Sequence, residues 1–514
     1  MTTEPLVTTT PAPPTSTDDQ EESPKSATGL YRFGAVASDN EQCSRVGTEI
    51  LAKYRGSSMD AAIATLFCLG VVHCPSTGIG GGFFMTIHDR KKKEVTTLIS
   101  REVAPLFATG EISVEGGLSI AVPGQIAGYA EAHKRYGTLP WSQLVEPAIR
   151  MSEEGFMVNK FLQYVVETDK TSIMEHPNLR NLLTKSDGSL VKEGDIIKRS
   201  TYAKTLRRIA EEGPNTFYNG SVAEDVVRDI QDEGGNIIQE DLQNYTPLWK
   251  KPIEVTLSNG GYKLYGPPPP SSAVVMYYIL NIMNEAPWRL EVLLAHRLVE
   301  AMKFGFGRSS YLGDEDFVAI SEWVERLRSN SYAEETRFKI NDEKVLNFED
   351  YESASELPND SGTTHLSVYG PDGISVSVSS SINAYFGSKV VGNRTGIIFN
   401  NQMNNFSSTN KTTGSPSNGI VPRKRPMSSM SPTIVLDKDD NLVLVIGSSG
   451  SKRIISGTLQ DIRHDLELKG HKFQVKDCNF CVTQVINDLS RKVKDGRCIE
   501  AASDLRRNGV PDGY

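Results

Sequence analysis

The sequence predicts an α+β protein, a mixed antiparallel sheet covered by helices. Apolar spacing of helical period comes first along the chain, two hairpins with strand-period alternation come late, and no internal repeat separates them. Composition agrees with that class. The 514 residues, 38% hydrophobic and 23% charged, suffice for a large core and are ordinary for a soluble globular protein. There is no apolar run of about 18 residues, the length a membrane span needs, and the stretch 61–72 is interrupted by Thr65 and Gly70. A net charge of -9 gives no basic field for a phosphate backbone, so nucleic-acid binding is excluded as the main activity.

The elements follow in chain order. Residues 1–29 are Thr, Ser, Pro and acidic residues with little to bury, a disordered tail that reads equally as a linker or a glycosylated stalk. No basic region followed by an apolar stretch opens the chain as written, so no secretory signal is read from it. Globular sequence starts at Phe33. Ser58 as N-cap, with Asp60 in the first turn, suits the exposed amides and positive end of a buried helix running toward Gly70. That helix delivers the chain to GIGGG (78–82), where glycines permit positive φ and close backbone approach, and then to a strand through Phe84, Thr86 and Ile87. Neither GxxxxGK[ST] nor GxGxxG opening a helix is present, so the glycines are no phosphate loop. The basic run 90–93 reads as a solvated hairpin loop. Helices are expected over 141–151 and 291–306, a helix exit at 241–247, and a rigid extended segment GPPPPSS (266–272) before a further helix over 273–282. The hairpins pair 366–369 with 375–379 through GPDG, and 433–436 with 442–446.

Chemistry is sparse until residue 360. Cys478 and Cys481 have CxxC spacing, but no second pair or HxxxH completes a zinc site, so no metal and no cofactor is expected. A GxSxG elbow is absent, and the eight histidines, His296 among them, are dispersed. The distinctive stretch is DSGTTH (360–365), a polar approach to a hydroxyl residue at the first position of a strand. Were the chain cut before Thr363, that hydroxyl would lie beside its own free amine, which serves as the general base. From the residues alone the stretch also reads as a plain loop-to-strand junction.

Further blocks join it: GIGGG (78–82), SREVAP (100–105), AVPG (121–124), GPPPPSS (266–272), GTTHLSV (362–368), YFGS (385–388), NNQM (400–403) and KRPMSSM (424–430). On these the chain, from about Phe33 to its end, resembles the gamma-glutamyltransferases (gamma-glutamyl transpeptidases), N-terminal-nucleophile hydrolases made as one self-cleaving precursor. The resemblance implies an αββα sandwich built from a large-subunit region, 30–362, and a small-subunit region, 363–514, that stay associated. It implies autocleavage at Gly362/Thr363 and makes Thr363 the nucleophile that takes the γ-glutamyl group as an ester. Ser381, where the family often has threonine, would hold the new amine. Arg101 with Ser428 and Ser429 would clamp the substrate's α-carboxylate, a task suited to a planar two-pronged cation and two hydroxyls. Asn383, Gln402 and Asn405 would receive the α-ammonium, and the backbone amides of Gly450 and Ser451 would form the oxyanion hole. Glutathione and other γ-glutamyl compounds are the implied donors, and water, amino acids or dipeptides the acceptors.

The sequence also departs from the family. Aspartates stand where this chain has Asn404 and Asn405, and Ser451 replaces the second glycine of the oxyanion loop. An amide at 405 gives up a charge-assisted bond of about 1.5–3 kcal/mol, about one to two powers of ten in affinity. A lost oxyanion donor would cost about 2.7–4 kcal/mol. After Thr458 the chain passes almost directly to LQDI (459–462) and the final segment, so the small subunit is shortened. Alternatives to an active enzyme thus stay open: a catalytically impaired or inactive relative that binds ligand or a partner, or an acylase with another substrate. The resemblance also implies an extracellular location, secreted or on the outer face of the plasma membrane. Cys43 and Cys68 stand where eukaryotic members carry a disulfide, the tail where they have an anchor stalk, and NGS (219–221) and NYT (244–246) are sequons.

Overall fold

The helix Ser58–Val72 sets the outer layer, and Ser57 rather than Ser58 caps it. Ser57 Oγ accepts from Asp60 N at 3.0 Å while Asp60 Oδ2 accepts from Ser57 N at 2.8 Å, which satisfies amides that a helix start leaves open. Ser58 instead ties the helix to the first predicted hairpin, donating to Asp372 Oδ1 at 2.6 Å. Every residue of the helix is buried, so it carries no polar face. Its Cys68 is disulfide-bonded to Cys43 of the helix Glu41–Ala52.

The computed structural model describes residues 27–110, 113–284, 291–351, 362–407, 415–450, 482–490, 498–504 and 507–514. Ser451, Cys478, Cys481 and the shortened stretch after 458 lie outside the described residues. The strands before residue 362 are β1 (Ala27–Tyr31), β2 (Ala35–Ser38), β3 (Gly82–Asp89), β4 (Glu94–Ser100), β5 (Phe156–Met157), β6 (Ile196–Ile197), β7 (Leu248–Lys250), β8 (Ile253–Thr256) and β9 (Lys263–Gly266). From Gly362 onward come β10 (Gly362–Tyr369), β11 (Ile374–Asn383), β12 (Thr433–Leu436), β13 (Leu442–Ser449), β14 (Val482–Asp488), β15 (Ile499–Ser503) and β16 (Asp512–Gly513). β1 begins at Ala27 and pairs with β15, so residues 27–29 belong to a sheet and not to the tail. The helices expected over 141–151, 273–282 and 291–306 are Trp141–Glu154, Ala273–Met283 and Glu291–Ser309. The exit at 241–247 follows the helix Gln239–Gln243.

Two seven-stranded antiparallel sheets stack face to face, one in the order β16-β2-β10-β11-β3-β4-β7 and the other β1-β15-β14-β13-β12-β9-β8. The helix Ser58–Val72 covers the first, on β10 and β11, and Ala273–Met283 covers the second, on β8 and β9. The αββα order results. Both predicted hairpins are present as β10–β11 and β12–β13, but β10 and β11 are buried on both faces. Their period-2 alternation separates two kinds of interior. Leu366, Val368, Val376 and Val378 face the helices, while Ser367 and Ser377 face the other sheet and donate to carbonyls of Val445 and Ile446 at 3.1 and 2.9 Å. His365 shares this face, pinched between Ser379 and Ser367 at 2.8 and 3.2 Å, and its burial pushes the imidazole down to about 3.

The glycine run works through close approach and not through positive φ, which none of its members adopts. A Cβ on Gly81 would lie 2.3 Å from the Ser381 carbonyl, and one on Gly82 would lie 2.5 Å from the Ser100 carbonyl. Only glycine lets β3 sit this tightly between β11 and β4.

Candidate active site

Thr363 is the second residue of β10, on the face between the sheets. It pairs with Ser381 of β11, while its neighbour Gly362 pairs with Asn383, so Ile382 is an extra residue in the ladder. Asn383 adopts a left-handed φ of 77°, a conformation costly for a side chain with a Cβ. This irregularity turns polar groups onto one point. Thr363 Oγ1 donates to Ser381 Oγ at 3.3 Å, Ser381 Oγ donates to the Gly362 carbonyl at 2.6 Å, and Asn383 N donates to Ser381 Oγ at 2.8 Å. Ser381 is therefore saturated, with one proton given and two received.

Behind the threonine lies a buried ionic cluster that the sequence reading missed. Arg507 Nη1 donates to the Thr363 carbonyl at 2.5 Å and to Ser449 Oγ at 3.0 Å, and lies 3.5 Å from Asp39 Oδ2. Asp39 also accepts from Gln484 at 2.7 Å, Thr364 at 2.9 Å and Ser449 at 3.2 Å. Burial raises the Asp39 carboxyl, against the lowering effect of Arg507 and these hydrogen bonds. His73 stacks on Phe161 and stays neutral, its imidazole driven well down by burial and then by Arg507. No motif spacing joins residues 39, 73, 449, 484 and 507; the pairing of β10 with β2 and the packing of β13 and β14 of the other sheet against β10 bring their stretches together.

The remaining predicted residues gather on one side of Thr363. Arg101, at the end of β4, is fully buried and donates to the carbonyls of Pro426 and Met427 at 3.4 and 3.2 Å, immediately before Ser428. The proline-rich segment buttresses the same chain: Ser428 N donates to the Pro270 carbonyl at 2.9 Å and Ser272 Oγ to the Ser428 carbonyl at 2.7 Å. Ser428 is buried and Ser429 exposed. Asn383 Nδ2 donates to the Asn401 carbonyl at 3.1 Å, and Asn405 Nδ2 to Gln402 Oε1 at 3.0 Å. A cavity of about 460 Å³ opens beside Thr363, with Asn405, Ser428, Ser429 and Gly450 in its walls and apolar side chains such as Ile279 and Phe306 opposite. Gly450, at φ 114°, follows β13 at the cavity edge, while Ser451 is outside the described residues. Glu102, inside the SREVAP block but without an assigned task, is buried beside Arg101, its Oε2 3.4 Å from Arg101 Nη1.

The sequence profile of Gamma-glutamyltranspeptidase matches residues 43–468. The chain belongs to the gamma-glutamyltranspeptidase family. Glutathione hydrolase 2 of Arabidopsis thaliana is 42% identical over 446 residues, covering 83% of this chain and 76% of the relative. Scoloptoxin SSD14 of Scolopendra dehaani is 39% identical over 458 residues, 85% of this chain and 79% of the relative. Among solved structures, the cephalosporin acylase from Bacillus halodurans superposes with a TM-score of 0.82 at 26% identity, covering 97% of this chain and 98% of the acylase. As a gamma-glutamyltranspeptidase family member the chain is an enzyme with the N-terminal-nucleophile αββα fold, as the resemblance implied. Within this family fold, Thr363, Asn405, Ser428, Ser429 and Gly450 line one cavity, with Ser381 bonded to Thr363 and Arg101 bonded to the two carbonyls before Ser428.

Proposed function

We propose that this family member is a gamma-glutamyltransferase acting on glutathione and related γ-glutamyl compounds through Thr363, once the chain has cut itself at Gly362/Thr363. The observation that carries the proposal is the relay from Thr363 Oγ1 through Ser381 Oγ to the Gly362 carbonyl, at 3.3 and 2.6 Å. In the unbroken chain the threonine oxygen attacks the Gly362 carbon, the peptide C–N bond breaks in favour of an ester, and water releases a large piece (30–362) from a small piece beginning at Thr363. The freed α-amine is then the base for its own hydroxyl. Each sheet holds strands from both sides of the cut, β2, β3, β4 and β7 beside β10, β11 and β16 in one of them. The pieces thus remain associated after cleavage.

In turnover, Thr363 Oγ adds to the γ-carbonyl of the donor. The developing oxyanion meets the amide of Gly450, and of Ser451 by resemblance. The amine half, Cys-Gly for glutathione, leaves with a proton, and water or the amine of an amino acid or dipeptide takes the γ-glutamyl group from the ester. Arg101, Ser428 and Ser429 hold the α-carboxylate, and Asn383, Gln402 and Asn405 the α-ammonium. The amide at Asn405 supports the second reading, a relative that binds γ-glutamyl compounds without turnover. We also read the protein as extracellular. The Cys43–Cys68 disulfide supports that reading, since such bonds persist in oxidising compartments, and Asn219 and Asn244 are exposed as glycan acceptors must be.

Intact mass of the denatured protein, expressed through a secretory pathway beside a Thr363→Ala control, tests the proposal. Two fragments, one starting at Thr363 and absent from the control, are expected. A single uncut chain leaves Thr363 without its amine and favours the binding-only reading.

A further inference from the structure

In the proposed function the α-amine that cutting frees on Thr363 is the base for the hydroxyl beside it, so it has to be unprotonated. An ordinary α-amine titrates at about 7.7–8.0 and is mostly ammonium at neutral pH. A general base works best when its midpoint lies near the operating pH. Ser381, bonded to Thr363 Oγ1, is a neutral hydroxyl and gives the amine no such bias.

The buried cation behind the threonine does. Arg507 Nη1 lies 2.5 Å from the Thr363 carbonyl oxygen, nearer than it lies to Ser449 Oγ at 3.0 Å or Asp39 Oδ2 at 3.5 Å. A residue's own nitrogen is three bonds from its carbonyl oxygen, so Nη1 stands within about 7 Å of the amine. The Arg507 side chain is 0% exposed and rests on the Phe161 ring, 4.9 Å from its centroid. Solvent therefore screens this charge little. Its field already acts on a neighbouring base, since Arg507 adds to burial in driving the His73 imidazole down. Asp39 opposes that field, but its own bond to β10 is to Thr364 Oγ1, at 2.9 Å, one residue beyond the nucleophile.

We propose that Arg507 keeps the freed α-amine of Thr363 neutral near pH 7, by holding a desolvated positive charge beside it that disfavours the ammonium form. Like charge at this range lowers an amine by about one pH unit or more. Arg507 is then a positioning residue, acting through the amine. The inference rests on the γ-glutamyl reading, because only a cut chain carries that amine. The other charged or titratable groups around Thr363 are Asp39 after β2, His73 after the helix Ser58–Val72, His365 two residues along β10, and Arg101 with Glu102 after β4. Burial keeps both histidines neutral, and Glu102, raised to about 7, is the same in wild type and in Arg507 variants.

The test reads the amine directly. The full-length protein is labelled with trace acetic anhydride between about pH 5.5 and 9, and acetylation of the Thr363 α-amine is followed by mass spectrometry, since the neutral amine is the form that reacts. The pH profile of kcat/KM for L-γ-glutamyl-p-nitroanilide is measured beside it. Wild type is expected to show an amine midpoint of about 7 or below. Arg507→Gln should raise that midpoint by about one pH unit and carry the acid limb of kcat/KM with it, while Arg507→Lys, which keeps the charge, should stay near wild type. A merely structural role lowers the rate at every pH and leaves the midpoint in place. A wild-type midpoint at the ordinary value, or one indifferent to Arg507→Gln, overturns the proposal. Should Arg507→Gln fail to cut itself, the wild-type midpoint alone decides. An uncut wild type overturns this inference and the catalytic reading together. A low midpoint that follows Arg507 without release of p-nitroaniline sinks the catalytic reading alone, whereas turnover with an unmoved midpoint sinks this one alone.

Discussion

Ser381 Oγ points its proton at the carbonyl of Gly362, 2.6 Å away, and receives the proton of Thr363 Oγ1 at 3.3 Å. In the proposed self-cleavage, a hydroxyl between Thr363 and the Gly362 carbonyl would serve cleavage before turnover, drawing density from the carbonyl as the threonine oxygen closes on the carbon. Replacing it with alanine removes the relay and leaves the Gly362 carbonyl without this donor. Ser381→Ala is expected to slow the appearance of the two fragments by about 10²–10³-fold, the scale seen when one oxyanion donor is lost. Ser381→Thr, which keeps the hydroxyl, should cleave within a few-fold of wild type. A time course on denaturing gels decides, and equal rates for alanine and serine would dismiss the relay.

The two sheets' strands were legible in sequence where alternation is strict. The β10 and β11 segments alternate valine with serine, and the turn GPDG joins them; what alternation did not reveal is that the serine face is also buried, because hydroxyls donating to Val445 and Ile446 carbonyls satisfy it. The cap moved by one residue for a similar reason. Ser57 and Ser58 are both good caps, and the choice falls to Ser57 because Asp372, far away in the chain, engages Ser58. At the site, the sequence-read residues Thr363, Asn405, Ser428, Ser429 and Gly450 line one cavity. Asp39, Ser449, Gln484 and Arg507 were not legible, since their meeting depends on strand pairing across the whole chain.

Arg507 joins the nucleophile's backbone to Asp39, and both side chains are fully buried. Removing one partner of such a pair leaves a charge without compensation, at about 3–5 kcal/mol. Arg507→Met in the uncut Thr363→Ala chain is expected to lose that much in chemical denaturation. In an Asp39→Asn background the same change should cost less, with a coupling of about 1–3 kcal/mol. Strict additivity in this double-mutant cycle would mean that the two residues act independently.

Cys43 and Cys68 close a loop with a sequence separation of 25, joining two helices of the first layer. Chain-entropy reasoning assigns a crosslink of this span about 3 kcal/mol, through restriction of the unfolded chain. Cys43→Ser with Cys68→Ser, again in the uncut chain, should lower the free energy of unfolding by about that amount while autocleavage of the Thr363 form persists. Loss of cleavage without loss of stability would instead tie the disulfide to the site's geometry.

Glu102 is expected to weaken the fold as pH rises past neutrality. Its carboxyl is raised from 4.5 to about 7, first by burial, so between those values the folded chain holds a proton that the unfolded chain has released. The folded state binds more protons there, and stability falls as pH rises through that window. At 1.36 kcal/mol per pH unit the loss totals on the order of 3 kcal/mol by pH 8. Glutamine has no proton to lose and keeps the shape. Glu102→Gln in the uncut chain should therefore match its parent in denaturant midpoint near pH 4.5 and exceed it at pH 8. A midpoint difference that is the same at the two pH values would mean that Glu102 is already ionised in the empty site, balanced by Arg101.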